Sequence, residues 1–190
     1  MNTTAHAIIN SVILGKKAKP YLISAVIVGS LLPDLPMILF YVWQRLVSGA
    51  DESDIWSNLY YQEGWQTFFD VFNSIPIALA GLIAAFLFKN RWITLFFAGM
   101  LLHAFGDLPF HQEDAHRHFF PFTDWRYFSP ISYWNPNHHG ALFSILEAIA
   151  VFWGIIYLVR KYREFSTRLV FLVLGGIHLS YWGFAFVMWM

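Results

Sequence analysis

Six apolar runs separated by short polar stretches set the rhythm of this chain. Residues 4–14, TAHAIINSVIL, read as an apolar helix too short to span a bilayer, capped by Thr3 or Thr4 and ended by Lys16, Lys17 and Lys19. Residues 20–43 then stay apolar for 24 positions, interrupted only by Pro33-Asp34-Leu35-Pro36. A hydrocarbon core needs about 20 helical residues, so this run is long enough to cross, with a break where proline removes a backbone donor. Further runs cover 71–88, 92–108, 141–159 and 169–190. Between them lie an acidic loop at 48–64 and a long segment at 109–140 that is rich in Pro, His and aromatics and shows no clear period. A connection of that length marks function rather than mere linkage.

Composition turns this pattern into a class. The chain is 57% hydrophobic and 13% charged, against about 25% charged for an ordinary soluble domain. The pattern predicts an all-α, integral membrane helical bundle of about five to six helices, with residues 1–190 forming one domain. Formal charge is zero, so no basic patch argues for nucleic acid, and the lack of cysteine excludes disulfides and thiolate metal sites. The N-terminal run precedes its lysines and no A-x-A site follows, unlike a cleavable signal. Nine of the twelve Lys/Arg lie in three short loops, at 16–19, 89–91 and 160–168. The positive-inside rule puts these in the cytoplasm and the segments 48–64 and 109–140 outside, as expected of a multi-pass protein of the inner (cytoplasmic) membrane.

The candidate chemistry is concentrated in one layer. Six of the eight histidines fall between His103 and His139, and His103, Asp107 and His111 recur at a spacing of four. Counting about 1.5 Å of rise per residue from each basic loop puts His6 about 15 Å up, His103 about 18, Asp34 and Glu147 about 20, Asp107 and Asn73 about 24 and Asp70 about 28. An ionisable residue inside a membrane is expensive and by default a functional hypothesis. Asp34, Asp70 and Asp107 would repel one another in a dry layer, and a divalent cation completed by histidines would neutralise them. His103 and Asp107, one turn apart, share a helical face. Pro109 ends the helix and leaves His111 on the turn beyond. Without sulfur ligands, zinc fits best, with manganese or iron next. Bland readings stand beside each of these: a cap or packed residue for His6, a plain Asx turn for Pro-Asp-x-Pro, solvated Asp70, surface His116 and His118, snorkelling Arg117 and Arg126, and a packed His178.

The motifs T-A-H at Thr4–His6, G-S-L-L-P-D-L at Gly29–Leu35, D-x-x-N-S at Asp70–Ser74 and L-H-x-x-x-D at Leu102–Asp107 resemble those of the membrane-bound metal-dependent hydrolases, typified by a LexA-regulated bacterial inner-membrane protein. The likeness covers about residues 3–111. A more distant similarity links the order of these motifs to the helical zinc-dependent phospholipase C and nuclease group. Carried over by position, the resemblance makes His6, Asp34, His103, Asp107 and His111 metal ligands, and Asp70 a further one. Asn73 stands where the family usually shows histidine, and His138, His139 and Glu147 are wrongly spaced for the closing H-x-x-x-E of the zinc enzymes. The count therefore stays open at one or two ions.

These readings converge on an expected metal-dependent hydrolase at the outer membrane interface, acting on a phosphodiester or other ester of a lipid or lipid-linked substrate. Asp107 or the loop histidines His116 and His118 would assist proton transfer, and Arg117 and Arg126 would hold an anionic group. Two alternatives remain open: a metal-binding or transport component, and a structural protein whose metal pins the long loop.

Overall fold

The innermost element is the shortest apolar run. Helix α1 (Thr3–Leu14) is capped by the Asn2 side chain, which accepts from the Thr4 backbone N–H at 3.2 Å. Its residues Ala5, His6, Ala7 and Ile8 are fully buried. The computed structural model describes residues 1–189, with side chains through residue 183, and among these the regular structure is helical, without strand.

Around α1 stand α2 (Pro20–Leu31), α6 (Arg91–Asp107), α7 (Gly140–Lys161) and α8 (Phe165–Trp189). Proline suits the first position of α2, because that N–H would lack a partner in any case. A tight turn at Leu32–Asp34 separates α2 from α3 (Leu35–Val42), where the Pro-Asp-x-Pro sequence predicts a break. The acidic stretch is not wholly a loop. It holds two helical turns, and α4 (Glu63–Phe72) already begins within it. Asp70 is therefore a buried helical residue rather than an interfacial one. Ser74 then caps α5 (Ile75–Leu87), accepting from the Ile77 N–H at 3.2 Å. Asn90 does the same for α6 through Ile93 at 3.1 Å. The segment 108–139 is irregular apart from a turn at Pro136–His138.

Close approach of α2 and α6 sets the floor of the site. A Cβ on Gly29 would collide with the Phe96 carbonyl oxygen, and one on Gly99 would lie 2.9 Å from the Val26 carbonyl oxygen. Small residues of this kind let membrane helices pack backbone to backbone. Asn10 bolts α1 onto the pair, donating to the Ser30 hydroxyl at 2.9 Å and the Gly99 carbonyl at 3.3 Å. Beneath lies an apolar core of Ile8, Ile23, Val26, Leu158 and Phe171.

Large apolar side chains also stand on the outer surface. Leu46 is 77% exposed, Phe86 72% and Trp153 63%, a distribution that water penalises and hydrocarbon does not. Three helical stretches are long and apolar enough to cross a membrane: Pro20–Val47, Glu63–Leu87 and Gly140–Lys161.

Candidate metal centre

The first turn of α1 and the last turn of α6 meet over the α2–α6 contact. His6 and His103 stack there with ring centroids 3.7 Å apart and planes 17° from parallel. Both turn Nε2 toward one carboxylate: His6 Nε2 lies 2.7 Å from Asp107 Oδ1, and His103 Nε2 lies 2.9 Å from Asp107 Oδ2. Ligand atoms of these three residues all fall within 4.8 Å of one another, and all three residues are buried. This His₂Asp group could hold a metal ion. Gly106 gives His6 its room, since a Cβ there would come within 3.1 Å of the His6 ring.

The decisive contact is on the far side of His103. Its Nδ1 donates to the Ser30 backbone carbonyl at 2.7 Å, which fixes the proton on that nitrogen. Nε2 then faces Asp107 at 2.9 Å and Asp34 Oδ1 at 3.4 Å, without a conventional hydrogen bond to either. A bare lone pair between two carboxylates is repulsive, so the arrangement calls for a cation in the form of a second ring proton or a metal ion. A backbone acceptor behind a metal-bound imidazole is the usual way its tautomer and orientation are held. Tetrahedral bonds of about 2.1 Å put ligand atoms roughly 3.4 Å apart, so the two histidine–Asp107 contacts would lengthen by roughly 0.5–0.7 Å to admit an ion. The donor set of two imidazoles and a carboxylate fits a first-row divalent cation with an open position.

Comparisons with protein-family models, with curated proteins and with solved structures found no match.

His111 reaches the group from the turn beyond α6, its Nε2 3.2 Å from Asp107 Oδ1 and its Nδ1 3.0 Å from Asp114 Oδ2. Burial alone would lower the His111 pKa, but the facing carboxylates of Asp107 and Asp114 outweigh it and push it up to about 9. The Met1 α-amino group also lies 2.8 Å from Asp107 Oδ1. A polar cavity of about 210 Å³ opens above, its wall including Asp34, His111, Asp114, His116 and Tyr133.

The remaining expected site residues form a neighbouring cluster of their own. Asp70 does not face the group as a ligand. It accepts from the Arg117 backbone N–H at 2.9 Å and from Arg117 Nε, and Arg126 Nη2 lies 3.5 Å from its Oδ2. The physical reason is local: a fully buried carboxylate needs neutralising, and two guanidinium groups supply this on the spot. Arg117 also donates to Asp124 at 2.7 Å and to the Thr67 hydroxyl at 2.9 Å, while Arg126 donates to the Ala115 carbonyl. Neither arginine lines the polar cavity as an anion clamp.

His116 bridges the two clusters, with Nδ1 3.6 Å from Asp70 Oδ1 and its ring 5.6 Å from that of His111. His118 instead donates to the Asn73 carbonyl at 3.2 Å, and burial holds its pKa down at about 4. Asn73 anchors backbone by donating to the carbonyls of Pro33 and Phe69 at 3.2 and 3.1 Å. Glu147 caps the chain start, accepting from the Asn2 N–H at 3.0 Å, and lies 4.0 Å from His178. The Ser30 carbonyl and Asp114 carry geometry that the sequence pattern does not assign. A backbone acceptor leaves no residue-type signal, and Asp114 sits in an irregular segment without periodicity.

Proposed function

We propose that this chain is a membrane-embedded, metal-dependent hydrolase of phosphodiesters or related esters, built as a bundle of about six helices with its basic loops in the cytoplasm. In this reading His6, His103 and Asp107 hold a zinc-type ion, with Asp34 and His111, which line the polar cavity, at hand as further ligands. When bound, such an ion lowers the pKa of its water toward about 7 and polarises the ester. The protein residues do the rest. The Ser30 carbonyl orients His103, Asp114 orients His111, and His116 on the cavity wall is placed to take up or return a proton. Arg117 and Arg126 brace the long segment through Asp70 rather than gripping substrate. The observation that carries the proposal is His103 Nε2, held facing the Asp107 and Asp34 carboxylates by the Nδ1 contact to the Ser30 carbonyl.

The resemblance to the membrane-bound metal-dependent hydrolases supports the same reading. A conduit for ions is less well supported, because the core between the ligand group and the basic loops is apolar apart from Asn10, Ser11 and Ser30. The test is metal analysis of detergent-purified protein, followed by assays with soluble phosphodiesters and with phospholipids. Near-stoichiometric divalent metal is expected, lost together with any hydrolysis in His103→Ala and Asp107→Ala. Protein that carries no metal and hydrolyses nothing would refute the proposal. Metal without hydrolysis, combined with a thermal transition lowered by chelation, would favour the structural alternative.

A further inference from the structure

A second cavity of about 250 Å³ lies against the outer half of α7 and is almost entirely apolar. Its walls include Ile9 of α1, Phe110 and Tyr133 of the long segment, and Phe143, Leu146 and Ala150 of α7. The last three recur at a spacing that puts them on one helical face. Of the lining residues Leu146 is 49% exposed and Ala150 is exposed as well, so the cavity opens along that edge of α7. It also shares a wall with the polar cavity, because Tyr133 lines both. Tyr133 stands 5.0 Å from the His111 ring, and its backbone N–H is held at 3.0 Å by the Phe110 carbonyl. Counted from Lys161, the cleft spans about 16–27 Å of depth, the same layer as His103 when counted from Arg91.

We infer that this cleft seats one hydrocarbon chain of a lipid-linked substrate, with the polar head lying past Tyr133 in the cavity above His6, His103 and Asp107. The inference rests on the hydrolase reading for the word substrate, and on geometry alone for the lipid seat. Space decides for a single chain. At about 30 Å³ for each water-sized group, the cleft holds roughly eight, comparable with a run of methylenes and too few for two chains side by side.

The test uses the full chain in nanodiscs containing phosphatidylglycerol with a diazirine on one acyl chain. Photolysis and peptide mapping should enrich labelling at Leu146 and Ala150 about tenfold over the more exposed Phe86–Phe88, a ratio equivalent to about 1.4 kcal/mol of preference. Ala150→Trp, which fills the cleft, should bring Leu146 labelling down to the Phe86–Phe88 level. It should also raise KM for a long-chain phospholipid and leave hydrolysis of bis(4-nitrophenyl) phosphate unchanged. Uniform labelling of the wild-type protein over both faces would overturn the lipid seat. Enriched labelling with no hydrolysis of either diester would overturn the hydrolase reading and leave the seat standing.

Discussion

Asp114→Asn isolates one carboxylate whose only structural link to the metal group runs through His111. Asp114 Oδ2 stands 3.0 Å from His111 Nδ1, and its side chain is 18% exposed. A hydrogen bond involving a charged group is worth about 1.5–3 kcal/mol when largely shielded from water. An amide oxygen in its place keeps the shape and loses the charge. At about 1.4 kcal/mol per factor of ten, the expected loss in metal affinity is about 10- to 100-fold, the range usual for carboxylates behind metal-bound histidines. The assay is competition for zinc against a chromophoric chelator, supported by the visible spectrum of the cobalt-substituted protein. A weakened His111 should shift that spectrum, whereas a purely structural defect would leave it unchanged in the loaded fraction. Asp114→Glu should recover some of the affinity. Asp124→Asn serves as the control, since Asp124 is 87% exposed and pairs with Arg117 rather than with His111. If Asp114→Asn bound metal within twofold of the parent, His111 would not be a ligand oriented by Asp114.

Three further outcomes probe the packing beneath. Gly29→Ala drives a methyl into the Phe96 carbonyl oxygen and must push the α2 and α6 backbones away from each other, so a destabilisation of about 1–3 kcal/mol or more is expected in thermal unfolding; an unchanged transition would contradict the close α2–α6 contact. Gly106→Ala should separate site from scaffold. Helix propensity favours alanine by about 1 kcal/mol, while the new methyl crowds His6 at 3.1 Å, so metal affinity should fall without loss of apo-protein stability. His118 supplies the pH test. Its folded pKa of about 4 lies below the usual 6.5, so its contribution is complete above about pH 6.5 and is lost as pH falls. At pH 5 that loss amounts to about 2 kcal/mol, and His118→Asn should flatten the stability profile between pH 6.5 and 5. An equally steep profile in the variant would assign the acid lability elsewhere.

Much of the helical scaffold is legible from the chain, for identifiable reasons. The break at Pro33–Pro36, the start of α6 at Asn90-Arg91 and its end before Pro109 are dictated by backbone chemistry, and the structure has a turn, a cap and a helix end at those places. Residue counting brings His6, His103 and Asp107 to within about 9 Å of one height along the helices, and the structure brings them into contact. Counting fails at Asp70. Depth alone cannot report azimuth, and α4 turns Asp70 toward Arg117 and Arg126 instead of the histidine pair. The start of α4 is also hidden in the sequence, because Glu63 falls in the acidic stretch 48–64 read as loop, while the helix that begins there buries Gln66, which donates to the Tyr60 carbonyl.

Hydrophobic runs, prolines, capping residues and charge placement are local properties, and the chain by itself determined the all-helical class and the apolar surface through them. Rise per residue is a constant of the helix, so the chain also gave approximate heights for its polar residues along each helix. Only the tertiary structure decided which of them touch. Close packing of α2 on α6 brings the Ser30 carbonyl behind His103, and that single backbone contact holds Nε2 toward two aspartates. The same packing divides the acidic residues into a group that calls for a cation and a buried carboxylate already neutralised by arginine. Rotation about a helix axis is set by the neighbouring helices, and no residue pattern within one helix records it.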